Sequence, residues 1–248
     1  MTADTLRERW DAIRGRVEAA CHDAGRDPAE VTILPVSKTF GPDVIREAVG
    51  LGLHRFGENK VQEIRDKAQA LGSQEAAPGI DWVMIGHLQT NKAGVVARLA
   101  TEVQSLDRPR LAAALDRQLR AEGRAIDVLV QVKTSDEPSK YGLDPEQLLP
   151  FLDELACYPT MRVQGLMTLA INTSDPATVR GCFRRLRELR DDAAARGHQL
   201  PRLSMGMSGD FPLAIAEGAT EVRIGTAIFG SRPYPDSYYW PESGPETN

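Results

Sequence analysis

Apolar residues fall along this chain in short runs bounded by Gly, Pro, Asn or Asp, and the segments between the runs repeat apolar positions at helical spacing. The runs predict strands at residues 31–37, 54–57, 82–88, 102–106, 128–132, 163–170, 202–207 and 221–229. The segments between and after them predict helices at 42–49, 60–71, 91–100, 108–122, 145–157, 176–196 and 210–217. One further helix, 5–24, precedes the first strand and is stopped by Gly25 and Asp27-Pro28. Short strands alternating with helices imply parallel pairing through right-handed crossovers. Eight such units in 248 residues point to an α/β fold, a (β/α)8 TIM barrel with an extra amino-terminal helix. A doubly wound open sheet is the structural rival, but no Gly-x-Gly-x-x-Gly turn follows the first strand, so a dinucleotide fold gains no support.

Composition narrows the setting. A hydrophobic fraction of 42% and a charged fraction of 26% are those of a globular protein, and no apolar stretch reaches the roughly 18 residues of a membrane span. The first ten residues mix charges at helical spacing and lack the apolar segment of a secretory signal, so a cytoplasmic location is expected. Cys21, Cys157 and Cys182 are odd in number and widely separated, which fits reduced thiols. Neither they nor the four histidines have metal-ligand spacing, so no metal is expected. A formal charge of −5 argues against a nucleic-acid partner, and the basic run over 180–196 is interleaved with Glu188, Asp191 and Asp192 as on a solvated helix face. Residues 1–232 read as one barrel domain, and 233–248 as a proline-rich tail, partly disordered.

The barrel says where to look for chemistry: in the loops after the carboxyl ends of the strands, with a phosphate site commonly after strands seven and eight. After strand seven comes Ser204-Met-Gly-Met-Ser208, small residues followed by a hydroxyl; strand eight ends in Gly225-Thr226, a second small-residue turn with a hydroxyl. Glycine turns also serve tight turns in barrels of every function. Lys38 closes the first apolar run in a chain where only six of 30 basic residues are lysine, and a closed barrel places it beside strand eight. An amine near a phosphate site describes a lysine that can bind pyridoxal 5′-phosphate (PLP), for which a protein also supplies a partner for the ring nitrogen. By period-two alternation Arg223 lies on the same side as Gly225 and is the candidate for that partner, with an outward salt-bridging arginine as the alternative.

These residues resemble the pyridoxal phosphate homeostasis protein family, single-domain barrels similar to the amino-terminal domain of alanine racemase. The resemblance runs through Val36-Ser-Lys38, Phe56-Gly-Glu-Asn-Lys-Val-Gln-Glu63, Ile85-Gly-His-Leu-Gln-Thr-Asn-Lys92, Ser139-Lys-Tyr-Gly-Leu143, Gly165-Leu-Met-Thr168, Ser204-Met-Gly-Met-Ser208 and Val222-Arg-Ile-Gly-Thr-Ala-Ile-Phe-Gly230. It implies that Lys38 carries the cofactor as a covalent aldimine, that Ser208, Gly225 and Thr226 bind its phosphate, and that Arg223 faces the pyridine nitrogen. Asn59 and Met207 line the pocket by the same match. Tyr141 receives no role. His87 ends strand three among polar residues and could shuttle protons, but a histidine there more often hydrogen-bonds loops. Glu58 and Glu63 read as helix-start and loop-organising carboxylates.

A protonated arginine must donate to the ring nitrogen, which leaves the ring a weaker electron acceptor than one paired with a carboxylate. The expected function is therefore PLP binding for intracellular homeostasis, by buffering the cofactor or delivering it to PLP-dependent apo-enzymes, with an indirect effect on amino-acid and keto-acid metabolism. Two alternatives stay open: an amino-acid racemase of weak activity, and a barrel that binds another phosphorylated metabolite. Sixteen residues after Arg232 leave no room for the racemase's second domain, so an efficient two-base racemase is not expected. Nothing in the sequence marks an oligomer interface, and a monomer is expected.

Overall fold

A computed structural model describes residues 4–72, 79–135 and 141–230. Eight strands, β1 (Thr32–Pro35), β2 (Arg55–Glu58), β3 (Asp81–Met84), β4 (Ala100–Leu106), β5 (Ile126–Gln131), β6 (Met161–Met167), β7 (Arg202–Ser204) and β8 (Glu221–Ile224), form one parallel sheet in the order β1-β8-β7-β6-β5-β4-β3-β2. The bridge between Val36 and Gly57, with Ser37 N donating to Gly57 O at 3.1 Å, brings β1 back to β2 and nearly closes the barrel.

Helices surround it: α1 (Leu6–Asp23), α2 (Pro42–Gly50), α3 (Val61–Leu71), α4 (Ala93–Leu99), α5 (Pro109–Ala121), α6 (Leu148–Leu155), α7 (Pro176–Ala194), α8 (Phe211–Ala216) and the short α9 (Thr226–Phe229). The added helix α1 starts with a reciprocal cap, in which Glu8 N donates to Thr5 Oγ1 at 3.2 Å and Thr5 N donates to Glu8 Oε2 at 2.7 Å. Its buried face, Leu6, Ile13, Val17 and Ala20, packs on α8 and α9. None of the described helices is long and apolar enough to cross a membrane.

The main corrections to the sequence reading fall at strand ends. Strands β3, β6, β7 and β8 stop at Met84, Met167, Ser204 and Ile224, short of the predicted 88, 170, 207 and 229, and the end of the last run is the helix α9. The reason is burial without pairing. Leu88, Ile228 and Phe229 remain buried after the backbone has left the sheet, so the apolar run outlasts the strand. The helix expected at 91–100 is a 3-10 turn, Thr90–Lys92, followed by α4, with Ala100 already in β4. The proline-rich tail lies outside the described residues.

The barrel's amino-terminal end is filled by charge. Glu102 and Glu221 are buried there between the guanidinium groups of Arg55 and Arg202, at 2.6 to 2.9 Å, with Gln104 reaching both carboxylates from above. A barrel interior is more often built from branched apolar side chains. Here each charged member has at least two partners, which is the condition under which buried charge is tolerated.

Candidate functional site

At the other end of the barrel, above the carboxyl ends of the strands, lies a cavity of about 720 Å3. All seven residues singled out from the sequence, Lys38, Asn59, Met207, Ser208, Arg223, Gly225 and Thr226, line it. None of the described residues that line it is Asp or Glu, whereas Lys38, Lys60 and Arg223 all do. A cavity of about 660 Å3 at the amino-terminal end of β3 is lined by arginines already engaged: Arg65 with Asp66, Arg98 with Glu122, and Arg124 with the Ala97 and Ala100 carbonyls.

Lys38 is held by its neighbours in sequence. Ser37 Oγ donates to Glu58 Oε1 at 2.6 Å, Lys67 Nζ donates to the Ser37 carbonyl at 2.8 Å, and Thr39 N donates to Glu63 Oε2 at 2.6 Å. Thr39 sits at φ 73°, an uncommon conformation for a non-glycine residue, and Phe40 N closes the turn onto Ser37 O at 3.1 Å. The backbone on both sides of Lys38 is thus tied to one buried cluster in which Lys67 bridges Glu58 at 2.6 Å and Glu63 at 3.0 Å. Burial pushes the Glu58 carboxyl up to about 7, against the attraction of Lys67 and with the repulsion of Glu63. The loop-organising role expected of Glu63 matches its bond to Thr39. Glu58 is not at a helix start; it ends β2 and is fully buried.

On the β7–β8 side, Gly206 takes φ 94° where an added Cβ would come within 2.6 Å of Ala214, so the turn that carries Met207 and Ser208 is packed directly on α8. Asp210 Oδ1 accepts from Met207 N and fixes the same turn. Arg223 N donates to Gly206 O at 2.9 Å, which ties β8 to it. The Arg223 side chain points into the barrel and is only 3% exposed. Its Nη1 donates to Ser204 Oγ at 2.8 Å and its Nη2 to the Thr168 carbonyl at 2.7 Å, both neutral acceptors. Burial pulls its guanidinium down to about 10, with Glu221 and Asp210 opposing, so it is still a cation at neutral pH. Across the cavity, Gly86 lets two loops touch: a Cβ there would meet the Asn59 carbonyl at 2.1 Å, so Asn59 is placed by that close approach.

The outer wall was not read from the sequence. Tyr141, 59% exposed, stacks on His87 with ring centroids 3.8 Å apart and 19° between the planes. His87 Nδ1 is 3.6 Å from Asp107 Oδ2, too long for a hydrogen bond, and burial lowers the imidazole below its usual value while Asp107 raises it and Arg108 lowers it further. Lys60, Gln131 and Asn172 also line the cavity. Their signal was position alone: each lies at or just beyond the carboxyl end of a strand, where this fold gathers its ligand contacts. No group of His, Cys, Asp and Glu suited to a metal ion occurs among the described residues.

Residues 9–233 match the family model "Alanine racemase, N-terminal domain". The pyridoxal phosphate homeostasis protein of Aquifex aeolicus is 41% identical over 92% of this chain and 98% of its own. The protein of the same name from Escherichia coli is 38% identical over 90% and 94%. The solved structure of PipY from Synechococcus elongatus with PLP bound superimposes with a TM-score of 0.80 at 34% identity, covering 91% of this chain and all of that one. Alanine racemase of Clostridium difficile, at 13% identity and a TM-score of 0.71, shares the fold over 94% of this chain and 58% of its own.

Proposed function

The chain belongs to the pyridoxal phosphate homeostasis protein family, and from that premise we propose that it binds PLP in the cavity above the barrel and holds it for delivery. One observation carries this reading: an amine, a buried guanidinium and two hydroxyls converge on one cavity whose described lining has no Asp or Glu. PLP brings an aldehyde, a phosphate and a basic ring nitrogen, and the donor set has a counterpart for each. Lys38 holds the aldehyde carbon as a Schiff base. Ser208 and Thr226, with the backbone at Gly225, take the phosphate, Asn59 and Met207 flank the ring, and Arg223 donates to the ring nitrogen.

Arg223 favours a carrier over a catalyst. With its guanidinium at about 10 it remains protonated at pH 7, so the ring nitrogen opposite it can only accept. PLP supplies an electron sink when its ring is a pyridinium, and this arginine withholds that state. The barrel over residues 1–232 then acts as one cytoplasmic, monomeric PLP-binding unit that serves PLP-dependent apo-enzymes.

The test is the absorption spectrum of freshly purified protein before and after borohydride, with mass mapping of the adduct. A pyridoxyl group on Lys38, absent in Lys38→Ala, is the expected outcome. A borohydride-insensitive protein would sink the Schiff base and favour another phosphorylated ligand. Racemisation of an amino acid well above the rate with free PLP, abolished in Lys38→Ala, would replace the carrier with an enzyme.

A further inference from the structure

The charged floor of the barrel and the ligand cavity are joined by an unbroken line of hydrogen bonds. Gln104 Nε2 donates to Glu102 Oε1 at 2.7 Å and to Glu221 Oε1. Ser204 Oγ donates to Gln104 Oε1 at 2.7 Å and accepts from Arg223 Nη1 at 2.8 Å. Every member is buried: Gln104, Ser204 and Glu221 at 0% exposure, Glu102 at 4% and Arg223 at 3%.

The direction of this line is forced. An amide nitrogen has two protons, and here two carboxylates take both. Turning the Gln104 amide over would set its oxygen against two carboxylate oxygens, so Oε1 must face Ser204. A serine hydroxyl has one proton, and Gln104 Oε1 claims it. Ser204 can therefore only accept from Arg223. The Thr168 carbonyl, which is also only an acceptor, holds the other Nη. The carboxylates are themselves held in place by Arg55 and Arg202. Gln104 also stands between Arg223 and the carboxylates of the floor, so the guanidinium is oriented by them without being neutralised in a contact ion pair.

We propose that Gln104 and Ser204 are positioning residues for Arg223, a line of hydrogen bonds that aims the guanidinium, itself only a donor, at the cavity and so holds the ring nitrogen of the bound cofactor as an acceptor. This rests on the reading of the cavity as a PLP site. Neither Gln104 nor Ser204 is among the cavity-lining residues, so their effect on the cofactor passes through Arg223.

Ser204→Ala removes the acceptor, and Gln104→Met removes the group that dictates the hydroxyl's direction. Both variants should still give the pyridoxyl adduct on Lys38, while the pH titration of the bound cofactor's absorbance moves upward by about one unit, because a poorly aimed arginine lets the ring nitrogen regain proton affinity. Ser204→Ala should also weaken PLP binding about tenfold, the scale of one hydrogen bond to a charged group. The double variant should shift the titration no further than Ser204→Ala alone, as expected of two members of one line. A destabilised but spectrally unchanged pair of variants, with adduct formed and titration superimposable on the wild type, would overturn the positioning role. A measurement on the unmutated apo-protein stands apart from any folding defect: the two Nη groups of Arg223 should give separate nitrogen signals by NMR, because both are pinned. A single averaged signal overturns the proposal. Failure of the wild type to form the Lys38 adduct would instead overturn the PLP reading, and the positioning role with it.

Discussion

The two ends of the barrel bury arginine in opposite ways. At the amino-terminal end Arg55 and Arg202 each contact both Glu102 and Glu221, and the two carboxylates outweigh burial, so both guanidinium groups are held above their ordinary value. Glu221 is lowered in return, because Arg55 and Arg202 overcome its desolvation. At the carboxyl end Arg223 makes no ion pair among the described residues, and burial wins, pulling it down to about 10. A charge that has its counter-charge inside the protein is explained by the fold. One whose contacts are all neutral, at the wall of a cavity, is explained by something the cavity receives.

The largest effect should come from breaking the saturated end. Glu221→Ala leaves the half-buried Arg55 and Arg202 sharing Glu102 as the one remaining carboxylate, a loss of about 3 kcal/mol, the low end of the scale for a broken buried pair because Glu102 still partners both. Urea unfolding of the apo-protein measures it, and a loss below about 1 kcal/mol would mean the floor is not the tightly balanced network its geometry describes. The ligand end should behave the other way. Ser208→Ala is expected to leave apo-protein stability nearly unchanged, since no hydrogen bond of the Ser208 hydroxyl to another described residue holds the fold, and to weaken PLP retention by about 1.5–3 kcal/mol. Equilibrium binding decides: a dissociation constant equal to that of the wild type removes Ser208 from the phosphate site.

The same contrast governs what could be read from the sequence. The eight-unit alternation was legible because helix and strand periods are local. Lys38, Ser208, Arg223, Gly225 and Thr226 were legible because the barrel assigns ligand chemistry to strand ends and the motif blocks marked them. The floor was not. Arg55, Glu102, Arg202 and Glu221 sit at the start or inside of four strands far apart in sequence, and as isolated charges they read as solvent-facing positions. Their meaning exists only once closure brings β2, β4, β7 and β8 around one axis. Lys67 was hidden for a related reason: its place on α3 fits a solvated helix face, and its burial at 5% depends on Glu58 arriving from β2. Gln104, uncharged and inside β4, carried no signal, and Ser204 was marked only as the opening residue of the turn after strand seven.

Glu58 gives the finest comparison, because it separates burial from pairing within carboxylates. Glu221 has two arginines and is lowered; Glu58 has one lysine, shared with Glu63, and is raised to about 7 despite the 2.6 Å contact with Lys67. The folded state therefore keeps a proton on Glu58 that the unfolded chain releases from the ordinary carboxylate value of 4.5 upward. Between those values the folded state binds more protons, so stability from this group is complete below about 4.5 and declines as the pH rises through 7. From pH 6 to 8 the expected loss is about 1.3 kcal/mol, half of the full slope over two pH units because the folded carboxyl is itself ionising there. Glu58→Gln keeps an acceptor for Ser37 and cannot titrate. The stability difference between wild type and Glu58→Gln should therefore change across pH 6–8 by that amount, with the wild type losing ground as the pH rises. A difference that stays flat would show that Lys67 keeps Glu58 ionised throughout, and the number of cations per carboxylate would no longer distinguish the two ends of the barrel.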